Sequence, residues 1–152
     1  MSKRPPALYP LLLIHLVLCT GALYGGWMLM TAPVGFGMKP EWLDASPFRS
    51  YFIPGLVLFV CLGLFPLLVI SGLLLQPSWL WPNVLNIYRD RHWAWTYSLY
   101  LGIILIGWIA VQITFVPYFW LQPVMLLFSM LILTLTLLPG VAQHYDLHHG
   151  KQ

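Results

Sequence analysis

Four long stretches of apolar residues dominate this chain, and none of them contains Asp, Glu, Lys or Arg. Each is close to the roughly 20 apolar residues that an α-helix needs to cross a bilayer. Only 7% of the residues are charged, whereas soluble domains carry about 25%. We therefore predict an all-α membrane protein, with a single domain over residues 1–152 and a bundle of four transmembrane helices at about Leu8–Met30, Pro54–Gln76, Trp95–Val116 and Leu121–Val141.

Basic residues in the connections predict the orientation, because cytoplasmic loops carry an excess of Lys and Arg. On the side of both chain ends lie Lys3, Arg4, Arg89, Arg91 and Lys151, and on the other side Lys39 and Arg49. This bias places both termini in the cytoplasm and residues 31–53 outside. The pI near 9.0 comes from these few residues and indicates no nucleic-acid surface.

The extracytoplasmic connection between the first two spans contains the sequence SPFRSYFIPG, from Ser46 to Gly55. Ser46 before Pro47 would suit a helix start; alternatively, the preceding PEWLDA forms a short interfacial helix that ends before the proline. Three aromatic residues spaced three and four apart would rest on the outer mouth of the bundle, namely Phe48, Tyr51 and Phe52. We expect a cap over the helices, with Arg49 and Tyr51 as candidate ligand contacts and Arg49 otherwise paired with Glu41 or Asp44.

His15 is the one ionisable side chain well inside a predicted span, apart from the two thiols. Helical rise places it level with Thr134 and Thr136 of the fourth span. A neutral imidazole bonded to a threonine hydroxyl is therefore the first expectation, and a proton relay or haem ligand is the alternative. Haem usually needs a second histidine at matched depth, and no other span contains one, so no cofactor is predicted.

Two glutamines flank the turn between the third and fourth spans. Gln112 and Gln122 each lie five residues from Pro117, so helical rise places them at similar depth. We predict that their amides pair across this hairpin, because unpaired amides are costly in lipid. The alternative is a polar constriction in a pore.

Histidines near the C-terminus could bind a metal ion. His144 and His148 are four residues apart, and His92 from the other cytoplasmic connection would add a third ligand of a suitable type. However, Pro139 and Gly140 interrupt the helix upstream and the segment is terminal, which favours adventitious binding by the tail.

Small residues predict how the helices associate, since lipid gives them no hydrophobic reason to pack. Gly21 and Gly25 form a small-xxx-small face on the first span, with Gly26 beside it. Pro66 should kink the second span, because its ring clashes with the preceding turn. A compact bundle is the expected result.

Three stretches, GALYGGWMLMTAPVGFGMKPEWLDASPFRSYFIPG, GIILIGWIAVQ and LTLTLLPGVAQHY, resemble an uncharacterised group of small four-helix bacterial membrane proteins. The most distinctive positions are Pro33 with Gly35, Ser46–Phe48, Tyr51 with Pro54–Gly55, and Trp108 with Gln112. The resemblance implies a multi-pass protein of the bacterial inner membrane and implies no activity. The chain departs from the pattern at QHYDLHH, which stands in place of a more basic tail.

Absent motifs narrow the function. The spans contain no carboxylate of the kind that coupled transporters use, and no nucleotide-binding or hydrolase motif is present. We predict a non-catalytic accessory, scaffold or lipid-associated protein, with membrane lipids as partners and a protein partner in the membrane left open. The alternatives are a small channel or carrier for uncharged solutes, and a membrane enzyme that acts on a lipid or quinone.

Overall fold

The computed structural model describes residues 4–32, 34, 37–44, 46–118 and 120–147. Within these residues the chain folds into helices and turns without a β-strand, which confirms the predicted all-α class. The helices are α1 (Leu8–Thr31), α2 (Phe52–Leu75), α3 (Trp93–Phe115), α4 (Leu121–Leu137) and the short α5 (Pro139–His144). Two 3₁₀ helices, Pro40–Leu43 and Trp81–Leu85, lie in the connections after α1 and α2.

The four long helices form a ring in which α1 and α3 each pack against α2 and α4. The connections from α1 to α2 and from α3 to α4 lie at one end of the ring, called the loop end. Both ends of the described chain lie at the other, the terminal end. There Arg4 donates a hydrogen bond to the carbonyl of Leu74 (3.0 Å), and the Tyr145 hydroxyl donates one to the carbonyl of Leu73 (2.6 Å).

Three helices are long and apolar enough to cross a membrane, namely α1, α2 and α3, with 24, 24 and 23 residues. The apolar helix α4 has 17 residues and is about 26 Å long at 1.5 Å per residue. The predicted fourth span to Val141 is thus too long. Leu138 leaves helical geometry (φ −54°, ψ 135°) because it precedes Pro139, and α5 begins after this break.

α2 is irregular in its middle, where Leu58–Leu64 is π-helical. The amide of Phe65 bonds to the carbonyl of Val60, five residues back instead of four. Pro66 follows directly and has no amide hydrogen to donate to the carbonyl four residues before it. The wider turn therefore precedes the proline whose position predicted an irregularity.

Glycines set the closest helix contacts, but not at the positions that the sequence favours. A methyl group at Gly26 would lie 2.8 Å from the carbonyl oxygen of Gly55, so α1 and α2 touch backbone to backbone there. A methyl group at Gly21 would meet no atom within 4 Å. Gly25 is buried, as expected, whereas Gly21 lies outside the contact face that was predicted to contain it.

The connection at the loop end contains the short helix that one of the two sequence interpretations predicts, as the 3₁₀ helix Pro40–Leu43. The hydroxyl of Ser46 donates to the carbonyl of Leu43 (3.0 Å) and accepts from the amide of Phe48 (3.2 Å). No helix begins at Pro47, so the helix-start interpretation is wrong. The segment is tied down by the Tyr51 hydroxyl, which donates to the carbonyl of Lys39 (2.6 Å).

Candidate functional site

A cavity of about 380 Å³ lies at the loop end between α2 and α3. These two helices make their close contacts mainly along Phe65–Leu75, toward the terminal end, and are farther apart near the loop. The loop segment, both helices and the end of α1 supply the walls, which include Leu29, Met38, Trp42, Phe48, Tyr51, Val57, Cys61, Trp108 and Gln112. The cavity is therefore a hollow beneath the loop.

A smaller cavity of about 160 Å³ lies beside the first, toward α1 and α4. The two share the residues Leu29, Met38, Leu62, Trp108 and Gln112. No described residue that lines either cavity carries a charge. The loop-end half of the ring thus holds adjoining, mainly apolar spaces separated by a wall that includes Trp108 and Gln112.

Few polar groups face the larger cavity, and two of them are already used. Ser46 and Tyr51 donate their hydroxyl hydrogens to backbone carbonyls. Burial raises the pKa of Tyr51 above its ordinary value, so its phenol stays a donor also in mildly basic solution. The amide of Gln112 and the indole N–H of Trp108 form no hydrogen bond with another described side chain or backbone group. They remain available to a bound molecule.

The loop caps the bundle as predicted, but only some of the residues expected in the cap face the cavity. Phe48 and Tyr51 line the cavity, whereas Phe52 is 53% exposed on the outside of α2. Arg49 is exposed and does not line the cavity, and it forms no ion pair with Glu41, Asp44 or any other described residue. The structure therefore brings Tyr51 to the site and leaves Arg49 outside it.

The predicted amide pair is absent, since no hydrogen bond joins Gln112 to Gln122. Gln122 is buried (3% exposed), whereas Gln112 is half-buried and lines both cavities. Helical rise predicts only their depth along the axis, and it does not define which way each side chain points around its helix. The pairing prediction is wrong for this reason.

A second group of polar side chains lies inside the ring toward the terminal end. His15, Ser98 and Thr136 are each fully buried (0% exposed). Nε2 of His15 lies 3.2 Å from the Ser98 hydroxyl, which lies 2.7 Å from the Thr136 hydroxyl. The expectation of a threonine at this depth is correct, but Ser98 intervenes. The same depth count from the start of the predicted third span reaches Gly102, so it would not have found Ser98.

Hydrogen counting constrains this group, which we call the polar brace (His15, Ser98 and Thr136). Nδ1 of His15 must donate to the carbonyl of Leu11 (2.7 Å), and Thr136 donates to the carbonyl of Ile132 (2.6 Å). In a neutral ring Nε2 then has no hydrogen, so it accepts a hydrogen bond from the Ser98 hydroxyl. Three hydrogens then serve four contacts, and the one hydrogen of the Thr136 hydroxyl is shared between the Ile132 carbonyl and the Ser98 oxygen.

Two of the three residues proposed as metal ligands, His92 and His144, have other partners. Nδ1 of His92 accepts from the amide of Ala94 (3.3 Å) at the start of α3, so Nε2 carries the hydrogen and donates to the carbonyl of Pro77 (3.1 Å). Nε2 of His144 lies 3.2 Å from the amide nitrogen of Gln76. Burial lowers the pKa of His92 and, together with the charge of Arg4, that of His144.

His148 lies outside the described residues. Within the part of the chain that the structure describes, no three His, Cys, Asp or Glu side chains are grouped as a metal ion would require. A site that includes His148 therefore stays a prediction.

Comparison with known proteins gives no match: no family model, no curated protein and no solved structure is significantly similar to this chain. The resemblance to small four-helix bacterial membrane proteins stays a prediction. The function must accordingly be argued from the cavity and the helices themselves.

Proposed function

We propose that this chain is a non-catalytic, lipid-associated membrane protein whose loop-end cavity holds one apolar chain. The observation that carries the proposal is the uncharged 380 Å³ cavity between α2 and α3. Ligand sites commonly have volumes of about 300–1,000 Å³ and mainly apolar walls. At about 30 Å³ per water-sized unit, the space accommodates about a dozen such units, the scale of one hydrocarbon chain.

The energetic cost of leaving this space empty supports an occupant. At about 24 cal/mol per Å³, an enclosed empty cavity of this size would cost up to about 9 kcal/mol. The whole stability of a typical domain is only about 5–15 kcal/mol. Because the cavity is partly open, lipid or a lipid-like ligand can fill it and remove most of that cost.

In this proposal all four long helices span the bacterial inner membrane, with both termini in the cytoplasm and the loop end outside. α4 has 17 residues, at the lower end of the range of about 17–25 that spanning helices use. Its outer face is apolar, since Leu127, Met130 and Leu137 are 55%, 62% and 57% exposed. Such a face suits contact with lipid better than contact with water.

The channel alternative receives less support. A pore would need polar groups along a continuous path, but the polar brace and Gln112 lie at opposite ends of the ring. Buried apolar side chains occupy the interior between them, including Leu18, Leu62, Leu105 and Ile109, each at most 3% exposed. A cavity that ends inside the bundle fits ligand binding better than conduction.

Filling the cavity tests the proposal. Gly107 lines the larger cavity, and a methyl group added there would meet no atom within 4 Å, so the Gly107→Leu side chain can occupy the space. Gly21 borders the smaller cavity and is equally open, which makes Gly21→Leu the matched control. The measurement is native mass spectrometry of lipids retained after detergent extraction.

We expect the wild type and Gly21→Leu to retain one lipid or lipid-like molecule and Gly107→Leu to lose it. Equal retention by all three proteins would refute the larger cavity as the site. Retention lost only in Gly21→Leu would transfer the proposal to the smaller cavity and contradict the present one.

A further inference from the structure

We infer that the loop-end cavity selects a ligand that carries a neutral carbonyl group beside its apolar chain, and that Gln112 and Trp108 bind this carbonyl. The inference rests on the proposed function and names the class of its ligand. An isoprenoid quinone and a glycerolipid ester share this chemistry. The polar contacts would distinguish either from the hydrocarbon of the surrounding bilayer.

Apolar contact alone cannot provide that selectivity. A hydrocarbon chain that moves from the bilayer into the cavity leaves one apolar medium for another, so it gains no hydrophobic free energy. Selection must then come from shape and from hydrogen bonds, which are strong where water is absent. Within the described lining residues, such bonds can come only from the few polar side chains.

Gln112 and Trp108 are suited to bind an acceptor. They are four residues apart on α3, which places them on the same helix face about 6 Å apart along the axis. Both line the two cavities, and neither forms a hydrogen bond with another described side chain. The indole N–H only donates, and the glutamine amide has two donor hydrogens. A carbonyl oxygen is the matching group on a ligand.

The surroundings of the cavity favour a neutral ligand. No described residue that lines it is charged, and the nearest basic residues of the loop, Lys39 and Arg49, are exposed and do not line it. Placing an anionic group among these walls without a cation would be costly. A third N–H donor, the indole of Trp42, comes from the loop side and adds to the preference for an acceptor.

Binding to the purified full chain in detergent tests the inference with three probes. One is a benzoquinone with a decyl chain, the second is a diacylglycerol with two ester carbonyls, and the third is an alkane of matched length without a carbonyl. Gln112→Leu removes the amide, and Gln143→Leu, at an exposed position on α5, is its matched control. Quinone binding is followed by quenching of tryptophan fluorescence and the other probes by competition.

We expect Gln112→Leu to weaken binding of the carbonyl-bearing probe about tenfold, the usual effect of one lost hydrogen bond in a dry site, and to leave alkane binding unchanged. Gln143→Leu should bind like the wild type. The probe that binds more tightly identifies the source as quinone or ester. Unchanged carbonyl binding by Gln112→Leu would overturn the inference.

Trp108→Phe provides a second test if Gln112→Leu does not fold. It removes one N–H donor and keeps an aromatic ring, and Trp27→Phe, at a 58% exposed position of α1, is its control. We expect the same selective loss of carbonyl binding, and an equal loss for the alkane would contradict it. If alkane binds and Gly107→Leu abolishes that binding, the proposed function survives even where this inference fails. If the wild type binds no probe, both fail.

Discussion

Removing the Ser98 hydroxyl should destabilise the bundle more than removing the Thr136 hydroxyl, although both belong to the polar brace. In the neutral brace, Nε2 of His15 accepts its hydrogen from Ser98 (3.2 Å). Ser98→Ala therefore leaves a buried ring nitrogen without a donor. Thr136→Val keeps the volume and leaves the hydrogen bond between Ser98 and His15 intact. It removes only the hydrogen that Thr136 shares between Ser98 and the carbonyl of Ile132.

The expected magnitudes follow from this difference. A buried acceptor left unsatisfied costs about 1–3 kcal/mol, and hydrogen bonds between membrane helices average about 0.6 kcal/mol, with values up to about 1.7. We expect Ser98→Ala to lower the free energy of unfolding by about 1–2 kcal/mol and Thr136→Val by about 0.5 kcal/mol or less. The double variant should resemble Ser98→Ala, because Ser98 is the described group outside its own helix that the Thr136 hydroxyl contacts.

Reversible unfolding in mixed detergent micelles, followed by circular dichroism, provides the measurement. His15→Leu combined with each variant is the control, since the difference between Ser98→Ala and Thr136→Val should shrink when the ring is absent. The reasoning is refuted if Thr136→Val costs as much as Ser98→Ala. That result would mean either that the Thr136 hydroxyl donates its hydrogen to Ser98, or that His15 carries a second ring hydrogen and donates it to Ser98.

Two further predictions use the same unfolding measurement. Gly26→Ala should destabilise the protein by about 1–3 kcal/mol, because its methyl group would meet the backbone of Gly55. Gly21→Ala, where the methyl group meets no atom, should be neutral or stabilising by up to about 1 kcal/mol. Equal effects of the two substitutions would contradict the backbone contact at Gly26. Burial lowers the pKa of His92, so the unfolded chain binds the proton more readily and stability should fall as the pH drops below 6.5 toward the folded pKa. His92→Asn keeps a capping oxygen for Ala94 and should show a smaller loss over that range, and an unchanged pH dependence would contradict this origin.

The sequence predicts the helices well, because the information is local. Uncharged apolar runs define α1, α2 and α3 to within about two residues at most ends. The main error is the end of α4, which follows from one residue, Leu138, held in extended geometry by the proline after it. Pro139 is visible in the sequence as a helix breaker. However, the apolar run continues past it to Val141, so hydropathy alone does not show the break.

Contacts between helices are harder to predict, because they depend on how each helix is rotated. A shift of one residue turns a side chain by about 100° around the axis. Gly21 and Gly26 are both small and nearby, yet only Gly26 touches α2. Gln112 and Gln122 are equally far from Pro117 in the sequence, and their amides still do not pair. Depth can be counted from sequence, whereas rotation is determined by packing across the whole ring.

The cavity lies outside sequence prediction for a related reason, since it depends on the distance between α2 and α3. Its walls include ordinary core residues such as Leu29 and Leu62, which would pack tightly if the helices stayed together. Trp108 with Gln112 is the one signal that could have indicated it. A polar side chain one turn from a tryptophan in an apolar span needs a partner, and in the described structure it has none.

The two halves of the ring differ in the hydrogen bonds that join their helices, and this difference explains why the cavity is at the loop end. At the terminal end, the hydrogen bond between His15 and Ser98 joins α1 to α3 across the ring, and breaking it in an apolar interior leaves polar groups unsatisfied. At the loop end no described hydrogen bond crosses the ring, and lipid gives α2 and α3 no hydrophobic reason to close. The π-helical segment Leu58–Leu64 supplies Cys61 and Leu62 to the cavity wall there. The hydrogen bonds of the bundle therefore leave its loop-end half free to adjust. A ligand that binds Gln112 and Trp108 would bind in this half.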